Sequence, residues 1–275
     1  MISNGGRVPI DEVDEDRRMR GAKLDRDEWR AYLGAFHARF PGITEEILGA
    51  SRSGGVNPYE WLLEAVPARA RLLDLACGSA PLLSAGWAGR WVGLDRSAAE
   101  LGLVGRRHGH LVVPGDARAL PFQDGSFDVL ACSMALMLLD PLHTCLAEAS
   151  RVLVPRGVMV VVLPGGPHTL TTPDLVRWTR LLGRLRRYRL TYPNDRAIAR
   201  LGKTMSGAGF AVAGDERRRF AYRMSDEAAA RRFVDSLYLP RVLPHRVQAA
   251  GRLAASWAGE EIGIPLRRVV LVRTG

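Results

Sequence analysis

Lysine is nearly missing from this chain, which is nevertheless strongly basic. Lys23 and Lys203 are the only lysines in 275 residues with a net charge of +10, so arginine carries almost all of the positive charge. Such an arginine bias, together with frequent alanine, glycine, valine and leucine, indicates the codon usage of a GC-rich genome. The overall charge therefore does not by itself predict a nucleic-acid partner.

Cysteine is also scarce, and long apolar runs are absent. Cys77, Cys132 and Cys145 are odd in number and lack the spacing of a metal site, which favours a reducing cytoplasm and no metal. No apolar run approaches the roughly twenty residues that cross a bilayer, and the polar, acidic residues 1–16 do not resemble a secretory signal. We expect a cytoplasmic protein with no membrane partner.

Charge and hydrophobicity divide the chain into regions. Residues 1–28 are rich in acids and predict a flexible segment, whereas residues 177–219 are strongly basic. The hydrophobic fraction of 47% over this length suits one domain with added helices, which we place at 29–275.

Residues 29–66 have apolar side chains at helical spacing and predict a helical lid before the sheet. Strands are then predicted near 71–76, 90–95, 110–114, 127–133 and 157–163, with helices between them. This alternation is typical of an α/β fold with a parallel sheet. Helical insertions at 173–206 and 225–257 precede strands near 210–223 and 266–273.

Three small motifs fall at the ends of the first three strands. Leu72 to Ala80 run from a buried strand into a turn of small residues, Val92-Gly93-Leu94-Asp95 ends on an acid, and Gly115-Asp116-Ala117 ends on another. An acid about twenty residues past a small-residue loop is where Rossmann-like sheets hold a ribose diol. The series predicts a nucleoside site.

Together with Leu120-Pro121-Phe122 and Phe127-Asp128-Val129-Leu130, this series resembles the class I methyltransferases that use S-adenosylmethionine (SAM), particularly the ubiquinone/menaquinone-biosynthesis-like group. The resemblance implies a Rossmann-like, mostly parallel seven-stranded sheet with a terminal antiparallel hairpin. It also implies SAM as cofactor and S-adenosyl-L-homocysteine as product.

The cofactor residues follow from the motifs and the resemblance. Small residues let the backbone approach the ligand at the start of a helix, Asp95 would accept from the ribose hydroxyls, and Asp116 and Ala117 would contact adenine. Asp74 would orient the methionine end. The alternative to a cofactor site is that the loop is only a tight turn and that Asp95 and Asp116 cap the following helices or turns. The predicted set is Asp74, Ala76, Cys77, Gly78, Asp95, Arg96, Asp116, Ala117, Cys132 and Ser133.

Methyl transfer from a sulfonium needs alignment above all, and a base only when the acceptor must lose a proton. His37, His143 and His168 are the candidate bases, although a lone histidine is usually not catalytic. Aromatic residues of the lid and one methionine would border the acceptor, or else pack the lid onto the sheet. These candidates are Trp29, Tyr32, Phe36, Tyr59 and Met134.

The sequence leaves the identity of the methyl acceptor open. The segments 36–45 and 57–62 are similar to methyltransferases that N-methylate azole-containing peptides, so we expect a small organic molecule or a short modified peptide from natural-product biosynthesis. Arginines at 177–189 would suit an RNA methyltransferase instead, if they hold phosphates. A non-catalytic SAM-binding protein is a further alternative. A dinucleotide enzyme is disfavoured because Gly78 is the only glycine of the expected pattern.

Overall fold

The structure is a computed structural model that describes residues 24–107 and 111–275. Most of the flexible segment predicted over 1–28 lies outside the described residues. The first described helix, α1, begins at Arg26, and Asp25 caps it by accepting from the Glu28 N–H.

One seven-stranded sheet forms the centre, in the order β3-β2-β1-β4-β5-β7-β6. The first five strands are parallel, and β7 pairs antiparallel with both β5 and β6. The predicted fold class and the terminal hairpin are therefore confirmed. The strands are β1 (Leu72–Leu75), β2 (Trp91–Asp95), β3 (Val112–Pro114), β4 (Phe127–Ser133), β5 (Leu153–Pro164), β6 (Phe210–Arg223) and β7 (Glu261–Arg273).

Helices cover both faces of the sheet because the central strands are apolar on both sides. Leu73 and Leu130 pack toward one set of helices, and Leu72 and Val129 pack toward the other. The helices that precede β6 are α1 (Arg26–Arg39), α2 (Ile43–Ala50), α3 (Pro58–Leu63), α4 (Pro81–Ser84), α5 (Ala98–Arg107), α6 (Leu142–Val152), α7 (Thr172–Arg184), α8 (Asp195–Ala199) and α9 (Leu201–Ser206). No described helix combines the length and the apolarity needed to span a membrane.

The connection between β6 and β7 contains α10 (Glu227–Asp235) and α11 (Pro244–Ala255), as the sequence predicted. These helices pack with α7 into an apolar cluster that includes Phe233 and Trp257. Asp174 fixes the start of α7, since its buried carboxylate accepts from Arg219 Nε at 2.6 Å and from the Gly263 N–H at 2.7 Å. These hydrogen bonds connect the inserted helices to the hairpin formed by β6 and β7.

Candidate active site

A cavity of about 770 Å³ lies where β1, β2 and β4 end, beneath α1 and α2. The carboxyl ends of parallel strands meet at one edge of the sheet, and ligands of open α/β sheets bind there. The cavity brings together most of the predicted site residues. They are Trp29, His37, Tyr59, Asp74, Ala76, Cys77, Gly78, Asp95, Arg96, Asp116, Ala117, Ser133 and Met134.

The loop after β1 has left-handed backbone at alternate positions. Ala76, Gly78 and Ala80 have φ angles of 56°, 53° and 61°. Only glycine adopts this conformation without a steric cost, which for other residues is roughly 1–2 kcal/mol. The two alanines thus adopt the backbone conformation of a glycine-rich loop, and this conformation is strained for alanine.

Asp95 connects this loop to the end of β2. Its Oδ2 atom accepts from the Gly78 N–H at 2.9 Å, and its Oδ1 atom accepts from the Ser97 N–H at 2.8 Å. A carboxylate oxygen can accept more than one hydrogen bond, so both oxygens retain acceptor capacity. The ends of two strands therefore hold Asp95 in place at the cavity wall.

Asp74 lies under the loop and is almost fully buried. Its Oδ2 atom has no hydrogen-bond partner in the described part of the chain. Burial raises the pKa of Asp74 to about 7, and the charge of Asp95 adds to this effect. A buried carboxyl with an unused oxygen at a cavity wall fits a cationic ligand group, such as the ammonium of SAM.

Asp116 and Ala117 form a further part of the cavity wall. Asp116 pairs with Arg118 through Nε at 2.9 Å and NH2 at 2.7 Å, and these hydrogen bonds lower the pKa of Asp116. The carboxylate is therefore ionised and oriented at the cavity wall, beside the Ala117 backbone. This placement suits the edge of an adenine ring, as the sequence predicted.

Apolar and aromatic side chains also line the cavity. Trp29 and Leu33 of α1 and Leu138 beyond β4 contribute there, together with Met134, whose φ is 55°. Tyr59 is buried, and this burial raises the pKa of its hydroxyl well above the usual value. A flat apolar group would find matching surface in this region.

His37 is the one candidate base that borders the cavity. Its Nδ1 atom lies 2.8 Å from Glu100 Oε1, and its Nε2 atom lies 3.2 Å from the Tyr238 hydroxyl. Neither of these two partners of His37 was predicted from the sequence. Glu100 occupies an ordinary helical position five residues after Asp95, and Tyr238 is 201 residues from His37 in the chain, so no local pattern connected them.

Three other predicted residues do not line the cavity with the rest. His143 is exposed near the start of α6 and borders a separate pocket, because the turn before α6 directs it outward. His168 is exposed on a short 3-10 helix after β5. Cys132 is fully buried, since strand alternation turns its side chain into the core while Ser133 faces the cavity.

Tyr32 and Phe36, predicted as acceptor contacts, do not line the cavity either. The Tyr32 hydroxyl accepts from the Leu239 N–H at 2.7 Å. The Phe36 ring packs against Tyr238 with centroids 4.7 Å apart. Both residues join α1 to the segment after α10, which was the alternative role considered for the lid aromatics.

Known sequences and structures agree with this site. Residues 73–161 match the family described as "Methyltransferase domain". A 2-phytyl-1,4-naphtoquinone methyltransferase of Thermosynechococcus vestitus is 31% identical over 128 residues, which cover 43% of this chain and 56% of that protein. A demethylmenaquinone methyltransferase of Renibacterium salmoninarum is 40% identical over 102 residues, covering 35% and 42%. This chain thus matches about half the length of these curated relatives.

Solved structures share the fold at low sequence identity. The [4+2]-cyclase SpnF has a TM-score of 0.56 and 17% identity, with 88% of this chain and 95% of that chain covered. The YcgJ protein of Bacillus subtilis has a TM-score of 0.52 and 17% identity, with 78% and 97% covered. The predicted resemblance is confirmed: residues 73–161 match a methyltransferase domain family, and SAM is the cofactor that this match supports.

Proposed function

We propose that this chain transfers a methyl group from SAM to a small, flat organic acceptor that carries an aromatic or quinone-type ring. The observation that supports this most strongly is one cavity with both polar and apolar lining. Asp74 and Asp95 supply carboxylates to it, and Trp29 and Met134 supply apolar surface. Relatives named for naphthoquinone and menaquinone substrates favour the same kind of acceptor.

The residues of this chain would act mainly by binding and alignment. Asp95 would hold the ribose of SAM, Asp74 would pair with its ammonium, and Asp116 with Ala117 would hold the adenine. SAM supplies a methyl group that is already electrophilic. Holding an acceptor lone pair in line with that methyl group is then the largest contribution the protein can make.

N-methylation of a modified peptide in natural-product biosynthesis is the second candidate. Glu45 of α2 borders the cavity, where it accepts from the Ser79 and Ser84 hydroxyls. Two further acids of the lid are engaged away from the cavity: Glu46 pairs with Arg232 at 2.7 Å, and Glu60 accepts from the Asn57 N–H at 2.7 Å. Because these acids already have partners within the chain, this candidate has less support than the first.

RNA is not favoured as the acceptor, because arginines of the 177–189 stretch have partners within the chain. Arg177 pairs with Glu260 at 3.0 Å, Arg189 pairs with Asp195 at 3.2 Å, and Arg187 donates to the Pro240 carbonyl. A non-catalytic role is disfavoured by the presence of the predicted strand-end acids at the cavity. Methyl transfer in the cytoplasm is the function we propose.

The test is transfer of radiolabelled methyl from SAM to three acceptor classes: hydroxylated naphthalenes and phenols, an azole-containing peptide with a free amino terminus, and bulk ribosomal RNA. We expect products with the aromatic acceptors, abolished in Asp95→Ala and unchanged in Asp215→Ala, whose surface carboxylate pairs with Arg267. Label in RNA or in the peptide alone would refute the proposed acceptor. SAM binding with no transfer to any class would refute the proposed reaction.

A further inference from the structure

Glu100, His37 and Tyr238 form a hydrogen-bonded chain at the cavity, and the motifs used above do not account for it. We propose that this chain is a proton relay that accepts the proton of an acceptor hydroxyl as the methyl group is transferred. The inference rests on the proposed function and narrows its substrate class to phenols and quinols that are neutral when they bind.

The hydrogen-bond pattern fixes the direction of the relay. Glu100 accepts from the Gly42 N–H through Oε2 at 3.0 Å, so the same carboxylate accepts from His37 Nδ1–H through Oε1 at 2.8 Å. With its proton on Nδ1, the ring accepts at Nε2, and the Tyr238 hydroxyl donates to it at 3.2 Å. The Tyr238 hydroxyl also hydrogen-bonds with the Thr44 side chain, and because a phenolic oxygen has two lone pairs, one remains for an acceptor O–H.

The three residues come from separate elements that only the fold brings together. His37 lies on α1, Glu100 on α5, and Tyr238 in the segment between α10 and α11, and all three line the cavity. Glu100 is 4% exposed, so its carboxylate is shielded from water and His37 is its ionisable partner. A carboxylate in this position orients the imidazole and stabilises an imidazolium.

The surroundings of the relay favour a neutral Tyr238. Burial raises the pKa of the Tyr238 hydroxyl, which keeps its proton available for transfer to Nε2. Carboxyl groups and tyrosine hydroxyls are the ionisable groups that face this region from the packed elements. They are Glu45 on α2, Asp74 on β1, Glu100 on α5, and Tyr32, Tyr59 and Tyr192.

The step is balanced without a further reagent. The acceptor O–H gives its proton to the Tyr238 oxygen while the Tyr238 proton moves to His37 Nε2. An oxygen lone pair of the acceptor forms the new bond to the methyl carbon, the bond from sulfur to that carbon breaks, and its electron pair stays on sulfur. His37 then carries the positive charge opposite Glu100 until it returns a proton to water.

The first test compares phenols of graded acidity as methyl acceptors at one pH. Tyr238→Phe and His37→Asn should lose about a hundredfold or more in kcat on the least acidic phenols, the scale of general-base catalysis, and less than about threefold on phenols that are already ionised. Tyr32→Phe is the matched control, because it removes a hydroxyl of the same lid that lies outside the cavity. An equal loss on all phenols would mean a structural role and overturn the relay.

The second test needs no turnover. A nitrophenol whose own pKa lies near neutrality is added to the complex with S-adenosyl-L-homocysteine, and its phenolate absorbance is followed below that pKa. We expect wild-type protein and Tyr32→Phe to ionise the bound probe, and Tyr238→Phe and His37→Asn to leave it neutral. If wild type leaves the probe neutral or fails to bind it, the relay is wrong, whether or not methyl transfer is observed. Ionisation without methyl transfer would retain the relay and refute the proposed reaction.

Discussion

Two parts of the cavity lining are built in different ways. Three consecutive strand ends supply the lining between Asp74 and Ala117, and their contacts are short-range across neighbouring strands. Another part depends on α1 and on the segment after α10, which meet at His37 and Tyr238. The first part belongs to the sheet, where we propose that the cofactor binds, whereas the second belongs to elements added around the sheet, where we propose that the acceptor is bound.

The largest effect is expected from Asp95 at the proposed cofactor site. Asp95→Ala removes two charge-assisted hydrogen bonds to the ribose, each worth roughly 1.5–3 kcal/mol, and should weaken SAM binding by about a hundredfold or more. Calorimetry measures this change, and Asp215→Ala serves as the control. Because Asp95 also accepts from the Gly78 N–H, thermal unfolding of the variant should be recorded alongside. A loss below threefold would remove Asp95 from the cofactor site.

A smaller effect is expected on the pH dependence of SAM binding, which we attribute to Asp74. In the free protein its pKa is raised to about 7, and a bound ammonium would favour the ionised form. SAM binding should therefore release a proton, and affinity should rise by up to about tenfold per unit as pH increases toward 7, then level off. Asp74→Asn should abolish this slope. A slope that survives in Asp74→Asn would assign the titration to another group.

The raised pKa of Asp74 has the opposite effect on folding stability, which should fall as pH rises. The folded state holds the Asp74 proton to a higher pH than the unfolded chain does, so this group lowers the stability of the free protein as pH rises from about 4 to about 7. Denaturant unfolding of wild type and Asp74→Asn across this range measures the difference. Identical pH profiles for the two proteins would contradict the shift.

Glycine substitutions in the strained loop after β1 should increase the stability of the protein. Ala76→Gly and Ala80→Gly relieve left-handed alanines, and each should raise the free energy of unfolding by up to about 1 kcal/mol, after the entropy cost of glycine. Ala228→Gly is the matched control, because its exposed position in α10 should make it destabilising by about the same amount. Losses in all three variants would mean that the loop carries no such strain.

The smallest effect should come from the basic insertion. Arg184→Glu with Arg186→Glu changes side chains that lie outside the cavity, so turnover of a small acceptor should stay within about twofold. Binding of ribosomal RNA is measured in parallel between about 50 and 200 mM salt. Tight, salt-sensitive RNA binding that the double variant loses would reverse the preference for a small acceptor.

Sequence reasoning predicted the parallel strands and the acids at their ends because both depend on local patterns. Strand periodicity located β1 to β4, and Asp95 and Asp116 were recognised from the strand ends that they terminate. It failed where side-chain direction or long-range contact decides. Cys132 and Ser133 are neighbours, yet only Ser133 faces the cavity, and only the fold brings Tyr238 to His37.

The central claim is that the strand-end acids form a SAM site. Its most direct test is calorimetric titration of the wild-type protein with SAM, S-adenosyl-L-homocysteine and NAD under identical conditions. The account predicts saturable binding of the first two compounds and no binding of NAD, because the loop after β1 lacks the glycines that hold a pyrophosphate. Binding of NAD, or no binding of either SAM or S-adenosyl-L-homocysteine, would contradict it.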